Sequence, residues 1–350
     1  MILVVEMIPG SVKLCIFKSD GSSRDVFLKR DPEDPETLRK DIRKLAGRSQ
    51  ITAISFRILF GGDRFHGPSL ISPDILSSLE KLTEFFPIYL PFAIKTIGVF
   101  QDAFKGVPLI AFFEHSFFRN LPDEEKYYAL PVEYCEDNRI RKWGFHGIFH
   151  EANAKAVPAG EKTISVVFDT QTTVCALRDR EPLSISLGYT PLEGVMSKTS
   201  SGDLDPGIVL YLMNVHKYSL HRIDDMLKNE SGFFGLTGYD IRMEDMIKLR
   251  GRDKKVDLAF DIYIAQIMKY IGEGISVLGG LDNIIFSGGN VDILTSIVHV
   301  ILKNLMFLGV NVESFPWDGE GEVICVSSAE SNIKAFINKM NIAKIIFLQS

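Results

Sequence analysis

The sequence predicts an α/β protein built from two lobes of related design. Two strand–turn–strand segments of similar size lie far apart in the chain, at residues 2–17 and 163–177. Near residue 283 a buried strand, a glycine pair and a helical segment follow one another. A repeated hairpin indicates a duplicated plan, and the order strand, glycine turn and helix is typical of α/β sheets that bind ligands.

Each of these elements follows from local residue chemistry. Turn-forming residues flanked by β-branched and apolar ones predict a hairpin. The two hairpins comprise residues 2–7, a turn at Pro9 and Gly10, and 12–17, then 163–168, a polar turn at 169–172, and 173–177. Helices are expected at residues 35–46 after Asp34 and at 73–85, because proline stands at the first helical position and Ser72 can cap the second helix. Residues 256–278 carry apolar side chains at helical spacing and predict a long core helix.

The segment from residue 283 to 305 predicts a buried strand at 283–286, a turn at Ser287-Gly288-Gly289 and a helix over about 292–305. Glycine lets the backbone approach a ligand, and the first N–H groups of the next helix are then free to bind an anion. Most turns of this kind only connect two elements. Ligand binding and plain connection therefore both stay open for this turn.

The composition argues against several classes of function. With 46% apolar and 24% charged residues in 350, the chain is typical of a globular protein of two domains. Its net charge of −6 gives no overall attraction for nucleic acid. No segment is apolar over the length of a membrane span, and the four scattered cysteines read as core thiols. We therefore expect a cytoplasmic protein with no nucleic-acid partner and no membrane partner.

A run of motifs resembles the signature of acetate and butyrate kinases. Its strongest part is Gly188-Tyr-Thr-Pro-Leu-Glu-Gly-Val-Met, followed by Thr199-Ser-Ser-Gly-Asp-Leu-Asp-Pro-Gly207. Further motifs occur in the family's order and are Phe56-Arg-Ile-Leu-Phe-Gly-Gly62, Gly106-Val-Pro-Leu-Ile-Ala-Phe-Phe-Glu-His-Ser-Phe117, Tyr128-Ala-Leu-Pro131, Ile140-Arg-Lys-Trp-Gly-Phe-His-Gly147, Ser231-Gly-Phe-Phe-Gly-Leu-Thr-Gly238 and Phe286-Ser-Gly-Gly289. The resemblance covers nearly the whole chain, which is therefore identified as a member of the acetate kinase family.

The resemblance implies a two-lobed, actin-like ATPase fold, in which each lobe holds a mixed central sheet flanked by helices and one phosphate-binding hairpin. It implies an N-terminal acetokinase lobe of residues 1–118 with 333–350, and a nucleotide-binding and dimerisation lobe of residues 119–332. Family members move the γ-phosphoryl group of ATP to a short-chain carboxylate with Mg²⁺, and they are usually homodimers through the second lobe. The expected ligands are therefore ATP, Mg²⁺ and a small carboxylate.

The resemblance also assigns residues to the site. Arg57 would hold the carboxylate and the transferring phosphoryl group, since a guanidinium offers paired donors. Glu114 stands in place of a family aspartate, and its extra methylene displaces the carboxylate by about 1.5 Å. His146 would donate a hydrogen bond to the phosphoryl group in the transition state. Glu330 would be an outer-shell ligand of Mg²⁺, although an isolated glutamate is normally solvated.

Two further groups are implied by position. The nucleotide would contact Gln171, Thr172, Asp240, Arg242, Gly288 and Gly289. The acyl group would occupy a small apolar pocket of Leu59, Leu90, Phe145 and Pro191. Plain core packing explains these four apolar residues equally well.

Several family residues are replaced, and the replacements concentrate in the phosphate-binding region. Glu6 stands for an asparagine and Ser200 for the second catalytic arginine. Phe168 stands for one histidine, and Pro91, expected in the loop before Ile97-Gly98, stands for another. Pro9 removes a backbone donor from the first hairpin. The changes at positions 6 and 200 make the region about two charge units more negative, each on the order of 3 kcal/mol against a polyphosphate at about 5 Å.

Two functions therefore stay open. One is an acetate kinase-like phosphotransferase with weak or altered activity, and the other is a catalytically inert nucleotide-binding or interaction protein with the same fold. We expect nucleoside affinity to outlast phosphate affinity, because Asp240, Arg242 and the glycine turn are retained. Lys13 and Lys198 could supply some of the lost charge, although lysine is not a bidentate substitute for arginine.

Overall fold

The chain forms two compact units, residues 1–119 with 341–350, and residues 120–340. The computed structural model describes residues 1–8, 11–18, 20–28, 35–46, 50–87, 89–312, 315–317 and 320–350. The turn predicted at Pro9 and Gly10, and the helix-preceding Asp34, lie outside these described residues.

The first unit contains a six-stranded mixed sheet. Its strands are β1 (Ile2–Ile8), β2 (Ser11–Phe17), β3 (Ser23–Leu28), β4 (Ala53–Ile58), β5 (Ser69–Leu70) and β6 (Leu109–Phe113). In the order β3-β2-β1-β4-β6-β5, the first three strands are antiparallel, β4 and β6 run parallel to β1, and β5 is an antiparallel edge. The predicted first hairpin is confirmed by the pairing of β1 with β2.

The second unit repeats this sheet topology. Its strands are β7 (Thr163–Phe168), β8 (Thr172–Arg178), β9 (Glu181–Ile185), β10 (Asn283–Ser287), β11 (Val323–Cys325) and β12 (Lys334–Asn338). The order is β11-β12-β10-β7-β8-β9, and when it is read from β9 to β11 it has the same succession of antiparallel and parallel pairs as the first sheet. Strand β12, from the segment expected with the first lobe, pairs with β10 of this sheet. The duplicated plan expected from the two hairpins is therefore present in both sheets.

Helices flank both sheets. Those of the first unit are α1 (Pro35–Ala46), α2 (Pro73–Glu80), α3 (Tyr89–Ala103) and α13 (Ile342–Gln349). Those of the second unit are α4 (Asp123–Lys126), α5 (Val132–Asp137), α6 (Gly147–Ala156), α7 (Pro206–Asn214), α8 (Leu220–Asn229), α9 (Gly232–Thr237), α10 (Met243–Lys248), α11 (Lys254–Leu278) and α12 (Thr295–Asn304). Short 3₁₀ turns occur at Gly62–Arg64, Ser116–Asn120 and Met306–Leu308. In the described ranges no helix has both the length and the apolarity needed to cross a bilayer.

The predicted helices α1, α2 and α11 are confirmed. Helix α1 has the predicted bounds, and Ser72 caps α2 by accepting a hydrogen bond from Ile75 N–H at 3.3 Å. Helix α2 ends at Glu80, five residues before the predicted end at 85, because Leu82, Thr83 and Phe85 donate to the carbonyl three residues earlier and form turns rather than α-helix.

Two local expectations were wrong. Pro91 was expected in a loop but lies in the first turn of α3, where proline is tolerated because the first N–H groups have no partner within the helix. Helix α12 begins at Thr295 rather than near 292. Turns precede it, with Val291 N–H donating to Gly288 O and Leu294 N–H to Asn290 O. The glycine pair therefore does not open directly into a helix N-terminus.

Candidate active site

Three charged side chains form a row across the sheet of the first unit. Lys13 of β2 is in register with Glu6 of β1, and Glu6 is in register with Arg57 of β4. Register partners project from the same face of a sheet, so the charges alternate. Lys13 Nζ lies 3.2 Å from Glu6 Oε1, and Arg57 Nη1 lies 3.4 Å from Glu6 Oε2. The Lys13 contact is an ion pair without hydrogen-bond geometry at Oε1, and it helps to neutralise Glu6.

Arg57 is also bound to a second carboxylate. Glu114 follows β6 directly, its side chain is fully buried, and its N–H donates to Ile58 O. Arg57 Nε donates to Glu114 Oε1 at 2.5 Å. Arg57 is thus held between Glu114 and Glu6, and part of its guanidinium fork is already occupied by the protein's own carboxylates.

Lys13 belongs to the same network through Asp25. Its ammonium lies 3.1 Å from Asp25 Oδ2. Burial lowers the pKa of Lys13, but the Glu6 and Asp25 carboxylates more than offset this, and the pKa is raised. With Glu6, Glu114 and Asp25 against Lys13 and Arg57, the network has three carboxylates and two cations, a formal sum of −1. The positive charge of Lys13 is therefore already neutralised by carboxylates of the sheet and is not available to replace a lost phosphate ligand.

Tyr89 fixes the backbone at the end of β4. Leu59 N–H donates to the Tyr89 hydroxyl at 3.1 Å, and this hydroxyl donates to Arg57 O at 3.2 Å. Burial raises the pKa of Tyr89, so its phenol stays neutral and keeps its hydrogen. Leu90, the next residue, is fully buried, whereas Leu59 is half-buried. Tyr89 is a positioning residue that the motif comparison did not identify.

In the second unit, His146 lies beside the hairpin formed by β7 and β8. Its backbone is left-handed, with φ of 61°, immediately before α6. The ring is buried, with Nδ1 3.1 Å from Thr173 Oγ1 and Nε2 3.8 Å from Asp169 Oδ2. Asp169 directly follows β7, at the edge where ligands of α/β sheets commonly bind. The position of Asp169 beside His146 is a feature that the residue-by-residue resemblance missed.

A cavity of about 450 Å³ opens beside this hairpin within the second unit. Its apolar lining includes Met196, Phe233, Ile241, Met243, Met246 and Leu294. Its polar lining includes Asp169, Gln171, Thr172, Lys198, Arg242 and Asn290. The volume and the mixed lining are those of a small-molecule site, and three residues expected at the nucleotide line it together.

The hairpin residues of the cavity are anchored by their own side chains. Gln171 Nε2 donates to Val195 O at 3.1 Å, and Thr172 Oγ1 lies 2.5 Å from the Tyr263 hydroxyl. The Gln171 amide hydrogens thus support the Val195 segment, and Tyr263 is a further site residue that sequence reasoning missed. Such contacts join residues far apart in the sequence, so no local pattern reveals them.

Lys198 is held at the rim by both its backbone and its charge. Phe234 N–H donates to Lys198 O at 2.8 Å, and Lys198 Nζ lies 2.6 Å from Asp240 Oδ1. Both side chains are about half exposed or more, at 48% and 78%. Asp240 is therefore next to the cavity through Lys198, and Arg242 lines the cavity while pairing with Asp245 at 3.4 Å.

The glycine turn packs against the end of β7. Gly288 has φ of 109°, and a side chain there would meet Phe168 O at 2.3 Å. Asn290 N–H donates to Phe168 O at 2.9 Å, and Asn290 Nδ2 donates to Asp169 O at 3.0 Å. The close approach at Gly288 is thus to the protein's own backbone, and Asn290 is the residue of this segment that lines the cavity.

Other expected site residues have different environments. Phe168 is fully buried and stacks on Phe286, with ring centroids 6.1 Å apart. The Ser200 hydroxyl is buried and has no hydrogen-bond partner among the described residues. Phe145 is buried and Pro191 is exposed. The four acyl-pocket residues thus lie two in each unit, and Phe168 cannot offer the donor that a histidine would.

Glu330 is exposed to solvent. Its pKa is lowered by its own backbone N–H and by the Ser328 side chain. Across the described part of the chain, no group of three or more His, Cys, Asp and Glu side chains is placed to hold a metal ion.

A family model, described as the acetokinase family, matches residues 35–347. The chain belongs to the acetokinase family. An acetate kinase of Oceanobacillus iheyensis is 31% identical over 299 residues, covering 83% of this acetokinase-family chain and 75% of the relative. An acetate kinase of Shouchella clausii is 28% identical over 345 residues, covering 94% and 87%.

Solved structures agree with this acetokinase assignment at the level of the fold. The acetate kinase of Porphyromonas gingivalis matches with a TM-score of 0.87 at 22% identity, covering 99% of this chain and 98% of that one. A propionate kinase of Francisella tularensis matches with a TM-score of 0.89 at 24% identity, covering 99% and 97%. The predicted fold, two lobes of the actin-like ATPase type with mixed sheets flanked by helices, is confirmed.

Proposed function

We propose that this protein transfers the γ-phosphoryl group between ATP and a short-chain carboxylate, at a rate below that of an acetokinase with a complete set of phosphate ligands. The carboxylate kinase class follows from family membership. The observation that carries the proposal is the 450 Å³ cavity, which gathers Gln171, Thr172 and Arg242 beside His146 and its hairpin. A reaction of this kind needs a nucleotide site next to a hydrogen-bond donor for the transferring group.

The nucleoside would occupy the cavity. Methionine, isoleucine and phenylalanine side chains form its apolar lining and can contact a base. Lys198 and Arg242 supply the cationic side of the lining. Asp169 and Glu244 also line the cavity, so its two cations meet two carboxylates and it does not attract polyphosphate by net charge.

Arg57 would bind the acceptor carboxylate and the transferring phosphoryl group. Its fork is preorganised by Glu114 and by the backbone contacts of Tyr89. An incoming anion must compete with Glu6 for the Nη1 side of the guanidinium. Attraction at such a distance is about 5 kcal/mol at an effective dielectric constant near 20. This competition is the physical reason for a slow reaction.

Mg²⁺ is compatible with the residues present, provided that it arrives with the nucleotide. Mg²⁺ takes one or two carboxylates, and phosphate oxygens and water complete its shell. Asp169 lines the cavity and can be such a carboxylate, whereas Glu330 is exposed and bound to its own loop. When bound, the ion neutralises charge on the phosphate oxygens. We propose Asp169 ahead of Glu330 as the ligand.

The test is formation of acyl phosphate by the purified full-length chain. Acetate, propionate and butyrate are incubated with Mg²⁺–ATP, and the product is trapped with hydroxylamine. We expect a signal that requires both ATP and the carboxylate. A signal equal to that of the boiled protein for all three acids would contradict the proposal.

A second candidate function is nucleotide binding without phosphoryl transfer. It is favoured by the engagement of Arg57 with two carboxylates, by the buried Phe168 and by the uncharged Ser200. Nucleoside binding without acyl phosphate formation would select this candidate. The four cysteines are free, which suits a reducing compartment, and we propose the cytoplasm as the location for either function.

We also propose a homodimer through the second unit. Helix α7 has no charged residue and no buried residue. Leu210, Tyr211, Val215 and Leu220 are exposed by 58%, 53%, 59% and 68%. Exposed apolar side chains grouped on neighbouring segments are typical of an association surface.

Replacing Leu210 and Tyr211 by glutamate is expected to convert the dimer to a monomer, because two charges would have to be buried without partners. Light scattering after gel filtration would measure the change from twice the chain mass to the chain mass. Leu348→Glu is the matched control, since Leu348 is a leucine of the first unit that is 63% exposed. A wild-type monomer, or a double variant that stays dimeric, would exclude this surface.

A further inference from the structure

A chain of buried polar groups leads to the ring of His146 along the face of the second unit's sheet that packs against α6. Each side chain in it contacts the next at 2.7 to 3.1 Å. All six of these side chains are buried. In order, the chain comprises the backbone of Met340 and the side chains of Asn338, Asn153, Ser165, His150, Thr173 and His146.

The direction of the first hydrogen bonds is fixed by the backbone. Met340 N–H can only donate, so the Asn338 atom that faces it is Oδ1, at 3.1 Å. Asn338 Nδ2 is then on the opposite side and donates to Asn153 Oδ1 at 3.0 Å. Asn153 Nδ2 consequently donates to Ser165 Oγ and to Ser287 Oγ, each at 2.8 Å. A flip of the Asn338 amide would set its NH₂ group against Met340 N–H, and a flip of the Asn153 amide would set its NH₂ group against that of Asn338, so neither flip is favourable.

Ser165 determines which nitrogen of the His150 ring carries the hydrogen. Its oxygen accepts from Asn153, and within the described ranges the only acceptor placed for its hydrogen is His150 Nδ1, at 2.7 Å. The hydrogen of the neutral His150 ring is therefore on Nε2, which donates to Thr173 Oγ1 at 2.9 Å. Burial, and secondly the neighbouring His146, hold the pKa of His150 well below its ordinary value, in agreement with a neutral ring.

The Thr173 hydroxyl is the last hydrogen-bonding group before the His146 ring. Having accepted from His150, its hydroxyl has one hydrogen to donate, and His146 Nδ1 lies 3.1 Å away. Nδ1 of a neutral His146 is then an acceptor, and the ring hydrogen is on Nε2. Asp169 Oδ2, at 3.8 Å from Nε2, favours a hydrogen at the same place.

We infer that this hydrogen-bonded chain holds His146 in the Nε2–H tautomer, and that His150 and Thr173 are positioning residues for it. His146 then presents a donor at Nε2 and has no lone pair there with which to accept a proton. The inference rests on the proposed function for the identity of the oxygen that receives this hydrogen bond, which is an oxygen of the transferring phosphoryl group. The direction of the chain itself does not depend on that function.

Long-range ¹H–¹⁵N correlation spectra of the full-length, histidine-labelled protein would test the inference. His146→Gln and His150→Gln assign the two rings. In the wild type we expect both rings as Nε2–H, with a ratio over the other tautomer of about tenfold or more, which corresponds to about 1.4 kcal/mol. A wild-type His146 with its hydrogen on Nδ1 would overturn the inference.

Thr173→Val removes the hydroxyl while keeping the side-chain shape. We expect the preference of His146 for Nε2–H to weaken so that the Nδ1–H tautomer becomes detectable, since only Asp169 then favours Nε2–H, and we expect Thr173→Ser to restore the wild-type ratio. Thr163→Val is the matched control, because Thr163 is a buried threonine on the neighbouring strand β7 outside this chain of groups. An unchanged His146 tautomer in folded Thr173→Val would also overturn the inference.

If Thr173→Val fails to fold, Ser165→Ala tests the same point one step earlier. It removes the donor to His150 Nδ1, and we expect the His150 ring to lose its preference for Nε2–H. An unchanged His150 tautomer would count against the proposed direction of the hydrogen bonds.

If acyl phosphate forms in the wild type, Thr173→Val should lower kcat about tenfold or more with little change in the KM of the carboxylate. Expected spectra without any acyl phosphate formation would refute the proposed function and leave this inference intact.

Discussion

Replacing Arg57 by lysine is expected to reduce acyl phosphate formation by about 10³-fold, the lower end of what an arginine contributes to phosphoryl transfer. Lysine keeps the positive charge beside Glu6 and the buried Glu114, but it has no planar fork with which to hold two anionic groups. Arg57→Gln would be less informative. It would leave Glu114 buried without a counterion, which typically costs about 3–5 kcal/mol.

The comparison requires the initial rate at saturating ATP and carboxylate, together with a thermal unfolding curve for each variant. Arg222→Lys is the matched control, because Arg222 forms an exposed ion pair with Glu230 and has no role in the proposed site. We expect the control to stay within about twofold, as for most exposed ion pairs. A loss of less than tenfold in Arg57→Lys would show that Arg57 does not hold the reacting groups.

Combining Glu6→Asn with Ser200→Arg is expected to raise acyl phosphate formation by about 10²-fold or more. The first change releases the Nη1 side of Arg57 from its carboxylate partner. The second adds a guanidinium at a buried position whose hydroxyl makes no hydrogen bond to the described residues. ATP affinity should rise in the same double variant, because the two changes make the protein about two charge units more positive where the phosphate groups are proposed to bind.

Asp25→Asn is the matched control for the first change. Asp25 contacts Lys13 but not Arg57, so its removal should alter the ion-pair network without raising the rate. A double variant with the rate and ATP affinity of the wild type would show that Glu6 and Ser200 are not the cause of the low activity. The buried Phe168, or the Pro9 turn outside the described residues, would then be the next positions to restore.

The elements that follow from local chemistry could be predicted from the sequence. The hairpin β1–β2, helix α1 and the capped start of α2 depend on turn residues, proline and a serine cap within a few positions. Boundaries that depend on distant contacts could not be predicted. The turns before α12 form because Asn290 binds the end of β7, more than a hundred residues earlier in the chain.

The candidate site divides in the same way. Gln171, Thr172 and Arg242 were expected at a nucleotide from motif position, and they line one cavity. From the sequence, Glu6 was expected to repel the phosphate groups directly. In the structure, strand register pairs Glu6 with both Lys13 and Arg57. Its effect is therefore to occupy Arg57 rather than to leave a bare negative charge.

The groups behind His146 were beyond any sequence argument. Asn153 and Asn338 are 185 positions apart, and their contact exists only because β12 lies beside β10 in the second sheet. His150 is one helical turn from His146, and that spacing is the one local signal that could have linked them.

Calorimetric titration of the wild-type chain with adenosine, ADP and Mg²⁺–ATP tests the central claim most directly. That claim is that the cavity recognises the nucleoside, whereas the residues proposed to bind the phosphate groups are depleted by the engagement of Arg57 with Glu6. We predict that adenosine binds and that the three affinities agree within tenfold. An affinity for Mg²⁺–ATP at least tenfold above that for adenosine, about 1.4 kcal/mol or more, would contradict the account.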